Sequence, residues 1–166
     1  PAAAPMRVSG VVPLRTESAR SLQDAAEARF TEAYVSYRRG DLERARSLCH
    51  EATQMKPEDA EYRALHVWLE AQTPGAQSRD ATLAAIRQLD AVILAKPESE
   101  HAHYYRGQLH KRLGNEQSAA RDFQRVVKLN PSNVDAQREI RLHDMRKRNS
   151  SGGWKLGFGE KKVAKG

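Results

Sequence analysis

Two stretches of this sequence carry small, apolar and turn-forming residues at the same intervals. One runs Ala28, Ala33, Gly40, Asp41, Ala45, Cys49, Ala52, Pro57; the other runs Ala102, Gly107, Gly114, Asn115, Ala119, Phe123, Val126, Pro131. From Gly40 and from Gly114 alike, five residues lead to an alanine, four more to an apolar residue, three to another, and five to a proline. A fixed period of this kind marks a chain assembled from repeated supersecondary units. One such unit cannot bury its own apolar face, so the units must stack. Arrays of this sort offer surfaces more often than reactive groups, which points towards binding.

The totals agree with an all-α reading. The chain has 166 residues, a length that suits one domain with its own core. Alanine, arginine and glutamine are frequent, and all favour helix. Cys49 is the single cysteine, so neither an intrachain disulfide nor a cysteine-based zinc cluster can form. No run of eighteen apolar residues exists to span a membrane, and Val8 to Leu14 is broken by Gly10 and Pro13, unlike a signal peptide. The expected location is cytoplasmic. The net charge of +7 is unevenly placed. Between 146 and 166, seven basic residues stand against Glu160 alone, a balance of +6 that leaves +1 for the rest. The basic character therefore belongs to the tail rather than to the domain.

Residues 1–17 read as a Pro/Ala-rich linker, which implies other domains before this one. Ser18 or Ser21 can cap a first helix, periodic from Leu22 to about Arg39 and stopped by Gly40-Asp41. A second helix runs from Leu42 to Met55 and ends before Pro57. The third covers 60–71, and Thr73 to Ser78 is the clearest loop. Asp80 opens the fourth, which runs to Pro97; the fifth covers 100–113 and the sixth 117–129. The middle unit carries a six-residue insertion at its inter-helix loop. A closing helix spans 134–148, and 149–166 forms a basic Gly/Lys tail, expected to be disordered.

The stretches 26–59 and 100–133 resemble tetratricopeptide repeats, 34-residue helix-turn-helix units with small residues at the eighth and twentieth positions and proline near the thirty-second. Those positions hold Ala33, Ala45 and Pro57, then Gly107, Ala119 and Pro131. The unit 60–99 fits less well, with Val67 at the small eighth position. The resemblance implies a right-handed α-solenoid of about seven helices over 18–148, with flexible termini. It implies a concave groove lined by the first helix of each unit, hence a scaffold that takes up a peptide or helix of a partner protein. The groove positions are Phe30, Tyr34, Tyr37 and Arg38, then Ala64, Leu65, Trp68 and Gln72, then His101, Tyr104, Tyr105, Gln108, Lys111 and Arg112. Tyr37 and Tyr104 are expected in the core. The expected contact set is Tyr34, Arg38, Leu65, Trp68, His101, Tyr105, Gln108 and Arg112. Such a set offers rigid aromatics and a few cationic donors. The family's carboxylate clamp for heat-shock chaperone tails needs lysine or asparagine where Phe30, Tyr34 and Leu65 stand, and His101 and Tyr105 fill the third-unit positions. The ligand is therefore expected to be more apolar, although a co-chaperone-like or bacterial signalling role fits the layout.

Catalysis and cofactors are not expected, since no nucleophile-base-acid set, phosphate loop or paired-carboxylate motif is present. His101 and His103 point to different helix faces and His110 lies two turns away, so no metal is expected there. Cys49 occupies a small apolar position and reads as an inert core thiol. An alternative function is binding of nucleic acid or acidic lipid through Arg146, Lys147, Arg148, Lys155, Lys161 and Lys162, with Trp154 and Phe158 stacking or inserting. Pairing of two arrays into a homodimer is a third.

Overall fold

The computed structural model describes residues 14–151, which form seven α-helices and no strand. They are α1 (Leu14–Arg38), α2 (Leu42–Met55), α3 (Ala60–Glu70), α4 (Arg79–Ala95), α5 (Glu100–Arg112), α6 (Glu116–Leu129) and α7 (Val134–Ser151). The expected linker before Leu14 and the tail after Ser151 lie outside the described residues.

The two punctuation marks do the same job. Gly40 and Gly114 have φ of 84° and 76°, the left-handed region that glycine enters without strain. Around them Asp41 N–H bonds Ser36 O at 3.0 Å and Asn115 N–H bonds His110 O at 2.9 Å, which closes each helix end. Helix starts are capped by side chains. Asp41 accepts from Arg44 N–H, Asp59 from Glu61 and Tyr62, Ser99 from Ala102, and Asn133 from Ala136.

Several helix ends differ from expectation, and three of the differences have a clear local cause. The first helix begins at Leu14 and passes through Ser18 and Ser21. No glycine or proline interrupts 14–39, and an interior serine costs only about 0.5 kcal/mol. The fourth helix is capped by Ser78, which accepts from Ala81 N–H at 3.2 Å, so Asp80 sits inside the first turn. The closing helix continues past 148 because Asn149 and Ser150 tolerate helix; Ser150 Oγ donates back to Lys147 O at 2.9 Å.

The small positions let helices of a unit close on each other. Ala33 and Ala45 are fully buried between α1 and α2, and in the α5–α6 pair Gly107 faces Phe123 and Asp122 while Ala119 is buried. These two pairs pack most extensively. The α3–α4 pair packs less, as expected where Val67 replaces a small residue. The insertion forms a single 3-10 turn at Pro74–Ala76. A continuous core of Cys49, Leu65, Leu69, Leu89, Val92 and Leu109 runs through the first two units into α5. A second cluster of Ala119, Phe123, Val126 and Ala136 seats α7 on α6.

One buried carboxylate knits the third unit together. Asp122 accepts from Arg106 Nε at 2.9 Å and lies 3.4 Å from His103 Nδ1, while Arg106 also reaches Asp90 at 2.7 Å. Burial pushes the Asp122 carboxyl up, but His103 and Arg106 outweigh it and hold the carboxyl below its usual range.

Candidate functional site: a tyrosine-lined cleft

A cleft of about 600 Å³ opens where the last turn of α1 faces the starts of α5 and α7. Tyr34, Tyr37 and Arg38 come from α1; Glu100, His101, Tyr104 and Tyr105 from α5; Val134 and Asp135 from α7. Asn130 and Asn133 complete it from the α6–α7 turn. A smaller apolar recess of about 280 Å³, lined by Phe30, Thr31, Tyr34, Val35 and His101, lies beside it. Tyr34 and His101 border both, so the two hollows form one uneven surface.

The rings form a ladder across this face. Tyr34 meets His101 edge-on at 6.0 Å, His101 stacks on Tyr105 at 5.9 Å, and Tyr105 stacks on Trp68 at 5.2 Å with planes 7° apart. The Arg112 guanidinium lies over Trp68 at 6.0 Å. Trp68 Nε1 donates to the Tyr37 hydroxyl at 2.8 Å, which fixes both rings. Burial, with the Tyr37 and Tyr34 hydroxyls nearby, raises the Tyr105 phenol well above its usual range, so it stays neutral.

The charges at the cleft are mostly committed elsewhere. Glu100 is held by both amides: Asn130 Nδ2 at 3.0 Å and Asn133 Nδ2 at 2.6 Å. His101 Nδ1 lies 2.8 Å from Glu61 Oε2, and Lys96 Nζ donates to Glu61 Oε1 at 3.2 Å. Burial raises the Glu61 carboxyl, but His101, Ser99 and Lys96 together bring it down to about 2. Glu61 thus holds the His101 ring in place through Nδ1. Asp135 sits in the first turn of α7, where the helix dipole favours a carboxylate.

The structure sorts the expected contact residues into three groups. Tyr34, Arg38, His101 and Tyr105 line the cleft together. Tyr105 is only 2% exposed, so it forms the floor rather than a projecting contact. Leu65 is a core residue, 1% exposed, because α2, α4 and α5 all pack around α3. Trp68, Gln108 and Arg112 do not line the cleft. Trp68 supports Tyr105, and Gln108 bonds the Tyr104 hydroxyl. Arg112 Nη1 donates to Ala71 O at 2.8 Å and Nη2 to Gln72 Oε1, which ties α5 to the end of α3. Tyr37 and Tyr104, expected in the core, are half-buried and line the cleft.

The resemblance assigns the groove to the first helix of each unit and does not include α7, which contributes Val134 and Asp135. The signal lay in its register: a helix closing the stack occupies the place of a further first helix, so Val134 and Asp135 face the groove. Of the expected anion-binding tail, Arg146 donates to Glu116 Oε2 at 2.8 Å. Lys147 and Arg148 are exposed near the end of α7, and Lys155, Lys161 and Lys162 lie outside the described residues. Among the described residues no helix is long and apolar enough to cross a membrane.

Residues 101–133 match the tetratricopeptide repeat family. No curated protein matches the chain. Solved structures do. The TPR domain of Arabidopsis OM64 is 18% identical with a TM-score of 0.58, over 75% of this chain and 98% of that one. The Sgt2 TPR domain from Aspergillus fumigatus is 11% identical with a TM-score of 0.61, over 85% of this chain and 91% of that one. The second TPR domain of human RPAP3, solved with the HSP70 peptide SGPTIEEVD, is 20% identical with a TM-score of 0.54, over 74% of this chain and 98% of that one. Residues 101–133 thus match a tetratricopeptide repeat, and the chain has the helical-repeat solenoid fold of solved TPR domains.

Proposed function

We propose that this protein is a docking scaffold that holds a partner peptide in the cleft between α1, α5 and α7. The observation that carries the reading is the pairing of a tyrosine-lined cleft with an apolar recess across the Tyr34–His101 ridge. Tyrosine supplies rigid contact area at low entropic cost, with a hydroxyl for peptide amides. Val35 and Val134 are exposed apolar residues on the recess and the cleft. Arg38 makes no hydrogen bond or ion pair with another described residue, so its guanidinium is available at the rim. A peptide lying here places an apolar side chain against Phe30 and Val35 and a polar or acidic group near Arg38.

The peptide-bound RPAP3 domain supports the general habit. The ligand itself differs, because Phe30, Tyr34, Leu65, His101 and Tyr105 occupy the positions that the family resemblance assigns to a carboxylate clamp. An apolar-anchored peptide fits this surface better than an EEVD-type tail. The test is selection from a random peptide library against the intact chain. Selected peptides carry an aromatic or aliphatic anchor, and Tyr34→Ala or Arg38→Ala weakens them tenfold or more. Ending the chain at Arg148 leaves their affinity unchanged. Peptides that survive both substitutions but lose binding steeply with salt or with the truncation favour the basic tail as the working surface.

A further inference from the structure

The cleft holds two carboxylates that no cation answers. Glu100, at the start of α5, is held by the side-chain amides of Asn130 and Asn133 at 3.0 and 2.6 Å. An amide donates hydrogen bonds but carries no charge, so these bonds fix the carboxylate and leave it anionic. Asp135 follows Asn133 by two residues and stands on the same wall of the cleft. Among the described residues neither Glu100 nor Asp135 has an ion-pair partner. The carboxylates nearby are matched: Glu61 by Lys96 and His101, and Glu139 by Lys111 at 2.7 Å. Among the described lining residues Arg38 is the only arginine or lysine, and it stands across the cleft in α1.

The rings between these walls suit a cation. Tyr37 stands 6.5 Å from Tyr34, and its hydroxyl is held by Trp68. Tyr104 meets Tyr105 at 6.0 Å and Phe123 at 5.8 Å, both edge-on, so its ring is held too. A held phenol presents a face of negative potential, which attracts an ammonium or guanidinium within about 6 Å of the ring centre. Tyr34, Tyr37 and Tyr104 are only half-buried, which leaves part of each ring open to a ligand. The negative field at this wall is felt by Tyr104. Burial raises its phenol most, a hydrogen bond with Gln108 opposes the rise, and Asp135 and Glu139 add to it.

We propose, on the basis of the docking function above, that the partner peptide presents a lysine or arginine to the cleft, with its methylenes along Tyr37 and Tyr104 and its charge between Glu100 and Asp135. Long basic side chains lie this way, with the stem on apolar surface and the head on a polar group. The apolar recess beside Phe30 takes a separate anchor, so the cation is a second determinant of the ligand. Long-range attraction does not produce the same preference. The chain carries a net charge of +7, which draws acidic peptides and repels basic ones. A choice of lysine over an uncharged residue of similar length therefore reports the local carboxylates.

The experiment is fluorescence anisotropy of the intact chain with nine-residue peptide pools of blocked termini, at physiological salt. Each pool fixes lysine, arginine, norleucine or glutamate at one position and is random elsewhere. At one or two positions the lysine or arginine pool should bind tenfold or more tighter than the norleucine pool, with the glutamate pool weakest. Asp135→Asn or Glu100→Gln should narrow that preference to a few-fold, and Asp135→Lys should abolish or reverse it. Glu98→Gln, outside the cleft, should leave it unchanged. Far-UV circular dichroism checks that each variant is folded; Asp135 is exposed, so its variants stand even where Glu100→Gln disturbs the α6–α7 turn. Pools that bind, and weaken in Tyr34→Ala, with no gain for lysine or arginine at any position overturn the cation and leave the docking function standing. A cation preference that survives in folded Asp135→Lys overturns its placement here. Failure of every pool to bind the parent chain overturns both.

Discussion

Substituting Gly107 with alanine sets two known effects against each other, and the structure says which wins. Alanine in place of an interior helical glycine gains about 1 kcal/mol of helix propensity. A Cβ at Gly107, however, would stand 2.9 Å from Phe123 Cε1, 3.1 Å from Cζ and 3.2 Å from Asp122 Cβ. Phe123 cannot swing away, since it is 2% exposed and packed by Tyr104, Ala119 and Val126. Asp122 is pinned by Arg106. Overpacking of this size costs roughly 1–3 kcal/mol. The net expectation for Gly107→Ala is a loss of about 1 kcal/mol, or a fall of roughly 3 °C in Tm for a domain of this size. Phe123→Leu removes the ring atoms that clash. In that background Gly107→Ala should turn neutral or mildly stabilising, because only the propensity gain remains. Urea unfolding followed by circular dichroism measures all four corners of the cycle. A Gly107→Ala that stabilises the parent protein, or that costs the same in both backgrounds, refutes the packing argument.

Three other expectations follow from the same contacts. Glu61 has a folded-state pKa of about 2 against 4.5 in the unfolded chain, so its contribution is complete above pH 4.5 and is lost as pH falls towards 2; Glu61→Gln should remove up to roughly 3 kcal/mol of that pH-dependent stability in acid unfolding curves. Burial pushes the Cys49 thiol up to about 12, so a thiol reagent at neutral pH should label native protein only as fast as the chain opens, and rapid stoichiometric labelling would contradict the buried placement. Trp68→Phe keeps a ring on Tyr105 but loses the bond to the Tyr37 hydroxyl, at about 1 kcal/mol, whereas Trp68→Ala should cost about 3 kcal/mol; a Trp68→Phe variant that unfolds at the parent's temperature would deny the bond a role, and equal losses in the two variants would deny one to the ring stack.

The fold was readable because its signals are local. Gly40 and Gly114 need a left-handed φ, and the prolines and small positions recur in register with them, so element order follows from spacing alone. The helix ends at Leu14 and Ser151 were not readable in the same way. Serine and asparagine favour caps but tolerate interiors, and nothing in the sequence chooses between the two. The cleft was half legible. The repeat register brings Tyr34, Arg38, His101 and Tyr105 to one face, but it treats every first-helix position alike. It cannot show that α3 is enclosed on several sides, which takes Leu65 into the core. Nor does it show that Arg112 spends its donors on Ala71 and Gln72.

The proposed docking surface is the face built from α1, α5 and the start of α7. It is tested most directly by titrating the ¹⁵N-labelled chain with a library-selected peptide and following each backbone amide by NMR. Shifts should cluster at 30–38, 100–105 and 130–135, with α2 and α4 unmoved, and should be lost in Tyr34→Ala. Shifts confined to α2 and α4, or to residues beyond 146, would contradict it.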